Sequence, residues 1–311
     1  MILSFFKTYK KTLTIFIVLI LLILYFLNKY NTILNQKEID VFVSNKIKIV
    51  EDEIENQKNQ ALSLALMFSQ NQEIIKNLRN KNSKELKEEL LKLLLIISTY
   101  TKLELDIQVH TKDLEVFARS WEDKDFLQKL SSFREGLNRV KTTEKPYVSS
   151  ELGKRFNIKA IAPIFDKNGD FLGSIEVIVD FKDLVLRLKN IGVSSAILLE
   201  NEFLDIATIY KDSKKIDDFS VIYSSFDNYD SQFISNILKA NLFFIEQNNK
   251  FYSKVVLGNF QGKNSGLLVV SFDKLIKNFV YLPSYSYYGD IKLEKNQNIE
   301  HNNLEKEIKI R

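Results

Sequence analysis

The sequence predicts an α+β protein in which an apolar anchor and a long helix precede two units built on antiparallel sheets. Three observations carry this. No glycine or proline occurs before Gly136, so nothing of that kind interrupts a helix in the first third. Beyond residue 103, period-two runs separated by glycine turns replace helical spacing, as expected of hairpin-connected strands. Finally, Gly169, Gly173 and Asp180 fall 93 residues before Gly262, Gly266 and Asp273, each set within the same strand, turn, strand pattern. A shared offset of this kind points to a duplicated unit.

In chain order, residues 1–12 carry Lys7, Lys10 and Lys11, and residues 13–30 are almost wholly apolar. The run from Leu13 to Leu27 spans about 22 Å as a helix, and Thr12, Tyr25, Lys29 and Tyr30 extend it toward the roughly 30 Å of a hydrocarbon layer. No alanine follows in residues 28–35, so a signal-peptide cleavage site is lacking and an uncleaved anchor is favoured over a released protein. The three lysines place the amino end in the cytoplasm and send the remainder outward. Residues 31–80 form a stalk helix whose stripe of Ile47, Val50, Ile54, Ala61, Ala65 and Phe68 meets a sheet. Any part of that stripe left bare would pair with a second copy, giving a homodimer, although packing within one chain explains the stripe equally well. A further helix is expected over 83–98.

The first sheet unit spans 81–185. Leu103, Leu105, Ile107 and Val109 alternate with Glu104, Asp106, Gln108 and His110, a half-buried strand. Phe126, Leu127, Leu130, Phe133 and Leu137 predict a short helix stopping near 136–140. Strands over 158–164 and 172–181 flank a turn at 166–169 in which Gly169 takes positive φ, and a linking helix covers 181–189. The second unit, 186–278, is expected to hold strands at 195–200, 203–211 and 251–257 and a helix over 231–246. Residues 279–311, rich in Lys, Glu and Asn, form a flexible tail with no second membrane-length apolar run.

Composition narrows the function. With 44 basic and 40 acidic residues the net charge of +4 gives no pull toward nucleic acid. The absence of cysteine removes disulfides, thiolate nucleophiles and cysteine-ligated metals. No phosphate loop, HExxH, GxSxG or kinase signature is present, and of the two histidines His301 lies in the tail, so neither an enzyme, a metal site nor a cofactor is expected.

Binding chemistry concentrates in residues 103–181. A small ligand with a polar head needs fixed cations, further donors and an apolar wall. Arg119 and Arg134 carry forked donors that grip an oxygen pair, and Arg119 lies between Phe117 and Trp121, which can hold its plane. Either arginine could instead be a surface charge, and Trp121 either lines a cavity or plugs the core. Gln108 and His110 share the polar face of their strand, which lines a cavity or meets solvent. Lys159 projects opposite Ile158 and Ala160, while Ser174 and Glu176 share one face of the last strand. Asp180 reads as a cap or turn residue.

The words HTKDLEVFARSW, LSSFREGL and ELGKRFNIKAIAPIFDKNGDFLGSIEV, in that order, resemble the double Cache sensory domain of bacterial chemoreceptors and sensor histidine kinases, in particular the double sensory domain type of two-component kinases. The resemblance implies two PAS-like subdomains on a long helix, the first distal to the membrane and the second proximal, and an extracytoplasmic body on the bacterial inner membrane. It also implies a small-molecule ligand, such as a carboxylate, amino acid or amine, bound in the distal pocket in the service of chemotaxis or two-component signalling. Lys154 and Lys159 stand where that pattern has arginine, so a single-point contact replaces a fork there. With no output domain in the sequence, the chain is expected to pass its state to a partner receptor or kinase. The alternatives are a truncated receptor or an anchored interaction protein that senses nothing.

Overall fold

The computed structural model describes residues 2–101, 103–122, 134–227, 231–260 and 263–274. Helix α1 (Ile2–Ser69) runs without interruption from the apolar segment into the folded body. Among the described residues it alone is long and apolar enough to cross a membrane. The predicted stripe of Ile47, Val50, Ile54, Ala61, Ala65 and Phe68 is buried throughout, and Val43 extends it by one turn. Ala61 and Ala65 are small, which lets the helix lie close to the sheet beneath it. The expected stalk to residue 80 is broken, however. Asn71 accepts hydrogen bonds at Oδ1 from the backbone N–H groups of Glu73 and Ile74 and so caps a separate helix, α2 (Gln72–Arg79). An asparagine side chain here does what the missing Gly or Pro did not. Helix α3 (Ser83–Thr101) follows.

The first sheet contains β1 (Leu105–Thr111), β2 (Val116–Arg119), β3 (Tyr147–Glu151), β4 (Asn157–Phe165) and β5 (Phe171–Val179), in the order β2–β1–β5–β4–β3, all antiparallel. Helix α4 (Glu135–Thr143) connects β2 to β3. The helix expected over 126–137 lies mostly outside the described residues, and α4 runs straight through its predicted stop. It ends instead at Glu144, whose left-handed φ of 52° closes the last turn. The β4–β5 turn uses Gly169 at φ 86°, as its sequence implies.

Alternation divides this sheet into two faces. Ile158, Ala160, Ala162, Ile164, Ile175, Val177 and Val179 join the α1 stripe in one core. Opposite, Ile161 meets Leu137 and Val140 of α4 together with Leu114 and Val116. Both faces are therefore covered, and a half-solvated sheet is not what forms.

Helix α5 (Phe181–Asn190), capped by Asp180 through the Lys182 N–H, leads to the second sheet. This comprises β6 (Ser194–Glu200), β7 (Lys215–Ile216), β8 (Phe219–Ser224), β9 (Ile245–Gln247), β10 (Lys250–Phe260) and β11 (Lys263–Asp273), in the order β7–β8–β6–β11–β10–β9. With β7 set aside, it repeats the first sheet strand for strand, so the 93-residue offset superimposes the β4–β5 hairpin on the β10–β11 hairpin. Two expectations fail here. Residues 201–211 hold two 3-10 turns, Asn201–Phe203 and Thr208–Tyr210, and bury Phe203, Leu204, Ala207 and Tyr210 at spacings of one and three rather than two. The helix expected to 246 is α6 (Ser231–Lys239). It ends where Lys254 Nζ donates to the carbonyls of Leu238 and Ala240.

Phe156 joins the two sheets. It is fully buried, its ring centroid 5.1 Å from that of Phe181, and it fills space that glycines leave in the second hairpin. A methyl group added at Gly266 would fall 2.4 Å from the Phe156 ring, and one at Gly258 would fall 3.1 Å from it. Overpacking of this kind costs about 1–3 kcal/mol. Gly266→Ala is expected to lower stability by that amount in denaturant titrations, and Phe156→Leu introduced with it should return part of the loss; additive losses would show that the two do not share one contact.

Candidate functional site

On the α4 face of the first sheet, alternation brings together side chains distant in sequence. Arg119 of β2 lies beside Gln108 of β1, which is opposite Glu176 of β5, which in turn is opposite Ile161 of β4. One step along, Asp106, Ile178, Lys159 and Ser149 form the next row. A cavity of about 370 Å³ opens over these rows. Its walls are Asp106, Gln108, Arg119, Trp121, Glu122, Arg134, Asn157, Lys159 and Ile178, with Gly153, Lys154 and Arg155 from the β3–β4 loop and Ile209 from the second unit. The size suits a small molecule.

The nine residues singled out from the sequence divide into three groups. Gln108, Arg119, Trp121, Arg134 and Lys159 line the cavity. His110, Ser174 and Glu176 lie behind them, buried beneath the wall. Phe117 sits at a bulge in β2, which turns its ring to the opposite face and into the α1 core. Trp121 is 44% exposed, so it is a wall rather than a core plug. Asp106 shares the polar face of β1 with Gln108 and His110, as alternation implies, whereas no periodicity singles out Arg155 or Ile209 as a cavity residue. Consecutive cations at Lys154 and Arg155, in a loop between two strands, were the available signal for Arg155.

Behind the wall, Arg134 bridges two carboxylates. Its Nη2 donates to Glu176 Oε1 and its Nε to Glu151 Oε2, the latter at 3.4 Å. Burial opposes the Arg134 charge, but the two carboxylates outweigh it and raise its pKa. Glu151 also accepts from Ser149 Oγ at 2.7 Å, whereas Glu176 Oε2 has no hydrogen-bond partner among the described residues and lies 3.6 Å from His110 Nε2.

A second chain of bonds orients Arg119. Its Nε donates to Gln108 Oε1 at 3.3 Å, which leaves the Gln108 amide nitrogen to donate to His110 Nε2 at 2.8 Å. His110 Nε2 must then accept, and its proton resides on Nδ1, 3.3 Å from Ser174 Oγ. Burial, reinforced by the Arg134 and Arg119 charges, lowers the His110 pKa well below its ordinary value and holds the ring neutral. The other fork of Arg119, Nη1, donates to Glu122 Oε2 at 3.0 Å, and its Cζ lies 5.6 Å from the Trp121 ring centroid.

Lys159 is 3% exposed and donates to two neutral acceptors, the Glu151 carbonyl at 2.7 Å and the Arg155 carbonyl at 3.4 Å. It thereby pins the loop that carries Lys154 and Arg155. Burial lowers its pKa to about 7, and the Arg134 guanidinium pushes the same way against the pull of Glu176 and Glu151. Asp106, 3.6 Å from Arg155, is shifted upward by burial.

A family model described as the double sensory domain of two-component sensor kinase matches residues 38–221. No curated protein matches the sequence. Among solved structures, the chain is similar to an extracellular ligand binding receptor from Desulfohalobium retbaense, at 12% identity and TM-score 0.40, over 72% of this chain and 39% of that one. It thus spans well under two thirds of that receptor. It is also similar to the sensor domain of the V. cholerae histidine kinase DctB, at 11% identity and TM-score 0.44, over 80% of this chain and 100% of that domain. A third similarity is to the ligand-binding domain of the Campylobacter jejuni chemoreceptor Tlp3 in complex with L-valine, at 12% identity and TM-score 0.41, over 74% and 90% of the two chains.

Two predictions follow from the buried charges. Arg134→Met leaves Glu176 and Glu151 without their shared cation, and breaking a buried pair in this way costs about 3–5 kcal/mol, to be read from denaturant midpoints. For Lys159 the sign follows from proton binding. The unfolded chain holds the proton up to its ordinary value of 10.5 and the folded chain only to about 7, so between these values raising the pH favours the folded state. The stability of the wild type relative to Lys159→Met should therefore rise with pH across that window and stay level below it; a flat difference would show an ordinary, solvated amine.

Proposed function

The chain belongs to the family of double sensory domains of two-component sensor kinases, and on that premise we propose that it is a membrane-anchored extracytoplasmic sensor whose first sheet unit binds a small carboxylate or amino acid. The supporting observation is the charge of the cavity wall. Five cations, Arg119, Arg134, Lys154, Arg155 and Lys159, face two carboxylates, Asp106 and Glu122. Arg134 is already engaged by Glu176 and Glu151 from behind, which leaves Arg119, Lys154, Arg155 and Lys159 to set the sign of the open side. A carboxylate head is attracted there and a plain amine is not. A zwitterionic amino acid uses the cations for its carboxylate and Asp106 or Glu122 for its ammonium. Trp121 and Ile178 supply the apolar wall.

Lys7, Lys10 and Lys11 orient α1 with its amino end in the cytoplasm and the sheets outside. Occupation of the cavity shifts the population between two packings of the first sheet on α1, and the sensor passes this state to a partner receptor or kinase. Ile209 brings the second unit to the cavity mouth, so that unit serves in coupling.

The test is a thermal-shift screen of the full chain in lipid nanodiscs against mono- and dicarboxylates, amino acids and amines near pH 6. A compound at a hundredfold excess over its Kd adds about 2.7 kcal/mol to stability. Carboxylate-bearing compounds should raise Tm and plain amines should not. Arg119→Ala should weaken binding about ten- to a hundredfold through loss of charge-assisted bonds; an unchanged shift in that variant would refute the site.

A further inference from the structure

Among the buried cations of the cavity wall, Lys159 is the one without a carboxylate in contact. Its ammonium faces the cavity, is almost fully buried, and has only two carbonyl oxygens for partners, Glu151 O and Arg155 O. No carboxylate among the described residues lies within ion-pair distance of it, because those nearby are committed elsewhere. Glu176 and Glu151 hold Arg134, and Asp106 pairs with Arg155. Of the cavity's other cations, Arg119 has Glu122 in contact, whereas Lys159 touches only neutral carbonyls, and burial together with the Arg134 charge outweighs the attraction of the more distant Glu176 and Glu151. The facing groups are Arg134 ahead of α4, Glu176 on β5, Ser149 and Glu151 on β3, Asp106 and Gln108 on β1, Arg119 on β2 and Arg155 in the loop.

An anion entering this cavity supplies the missing counter-charge. It favours the ammonium over the free amine for the same reason that the empty site disfavours it. We propose that Lys159 takes up a proton when an anionic ligand binds, so that the sensor reads anion and acidity together. This rests on the anion-binding reading above and extends it. The proton comes from bulk solvent, the bond formed is the third N–H of the Lys159 ammonium, and the ligand remains unchanged. Bound near neutrality, an anion therefore removes protons from solution, and acid raises its affinity. A site that must be protonated to bind, with Lys159 held near 7 when empty, binds about tenfold more weakly at pH 8 than at pH 6. The loop makes this structural, since the same ammonium holds Glu151 and Arg155 in place.

Malonate, a compact dianion, is a suitable probe, titrated calorimetrically into the full chain in nanodiscs. Near pH 7, where the empty site is about half protonated, heats measured in two buffers of different ionisation enthalpy should differ by the uptake of about half a proton per malonate bound. Affinity should fall about tenfold from about pH 6 to about pH 8. Lys159→Arg, charged throughout, should abolish both the buffer dependence and the pH slope, and Lys159→Met should abolish them while weakening binding at pH 6. Binding whose heat and affinity are independent of buffer and pH overturns the proton coupling and leaves the anion site standing. A proton uptake that persists in both variants assigns it to another group and overturns the role of Lys159. Absence of malonate binding at every pH, in the wild type and in Lys159→Arg alike, removes the anion site itself and the coupling with it.

Discussion

The contact between Arg134 and Glu176 governs the rest of the first unit. Glu176 sits mid-strand on β5, fully buried, and Arg134 immediately precedes α4. Neither charge is tolerable in that position without the other, since the loss of water around a buried ion costs several kcal/mol. Their pairing fixes where α4 begins relative to the sheet. Because Glu151 also turns toward Arg134, two carboxylates that would otherwise neutralise the cavity are drawn to its back wall. The open side is left positive by construction. The neutral His110, held between Gln108 and Ser174, adds no charge and transmits orientation only, through Gln108 to the Arg119 fork.

Packing serves the same end from the other face. The α1 stripe and the apolar residues of β4 and β5 form one continuous core, which runs on through Phe156 and Phe181 into the second sheet. Phe156 ends the same loop that Lys159 pins at its carbonyls. The segment carrying Lys154 and Arg155 is thus fixed at one end by an aromatic ring lodged against Gly258 and Gly266, and along its length by a buried amine. The second unit reaches the cavity through Ile209. The turn carrying it is anchored beneath by Tyr210, which is buried, and Tyr223 nearby donates to Asp180 at the cap of α5.

Much of this was legible in the sequence because it follows from periodicity. The α1 stripe, the strand at residues 105–111, the hairpin around Gly169 and its copy 93 residues later all obey simple spacings, as do Gln108 and Lys159, whereas Arg119, Trp121 and Arg134 stand out by side-chain chemistry alone. Three features were not legible, each for a physical reason. The 203–211 segment alternates in a way that imitates a strand, but 3-10 turns place Phe203, Ala207 and Tyr210 inward and release Ile209 to the cavity. Phe117 lies next to the arginine it was expected to hold, but a bulge after Val109 moves it to the opposite face. The commitment of Glu176 and Glu151 to one arginine depends on contacts across 42 and 17 residues of chain, which no local pattern encodes.

Helix α1 carries one further consequence. Its 68 residues extend roughly 100 Å with no proline, glycine or capping residue between the apolar segment and the stripe under β4 and β5. Such a rod has no soft joint at which a twist could be absorbed. A rotation of Val50 against the sheet would turn the residues of the apolar segment by nearly the same angle, a change of azimuth rather than of height.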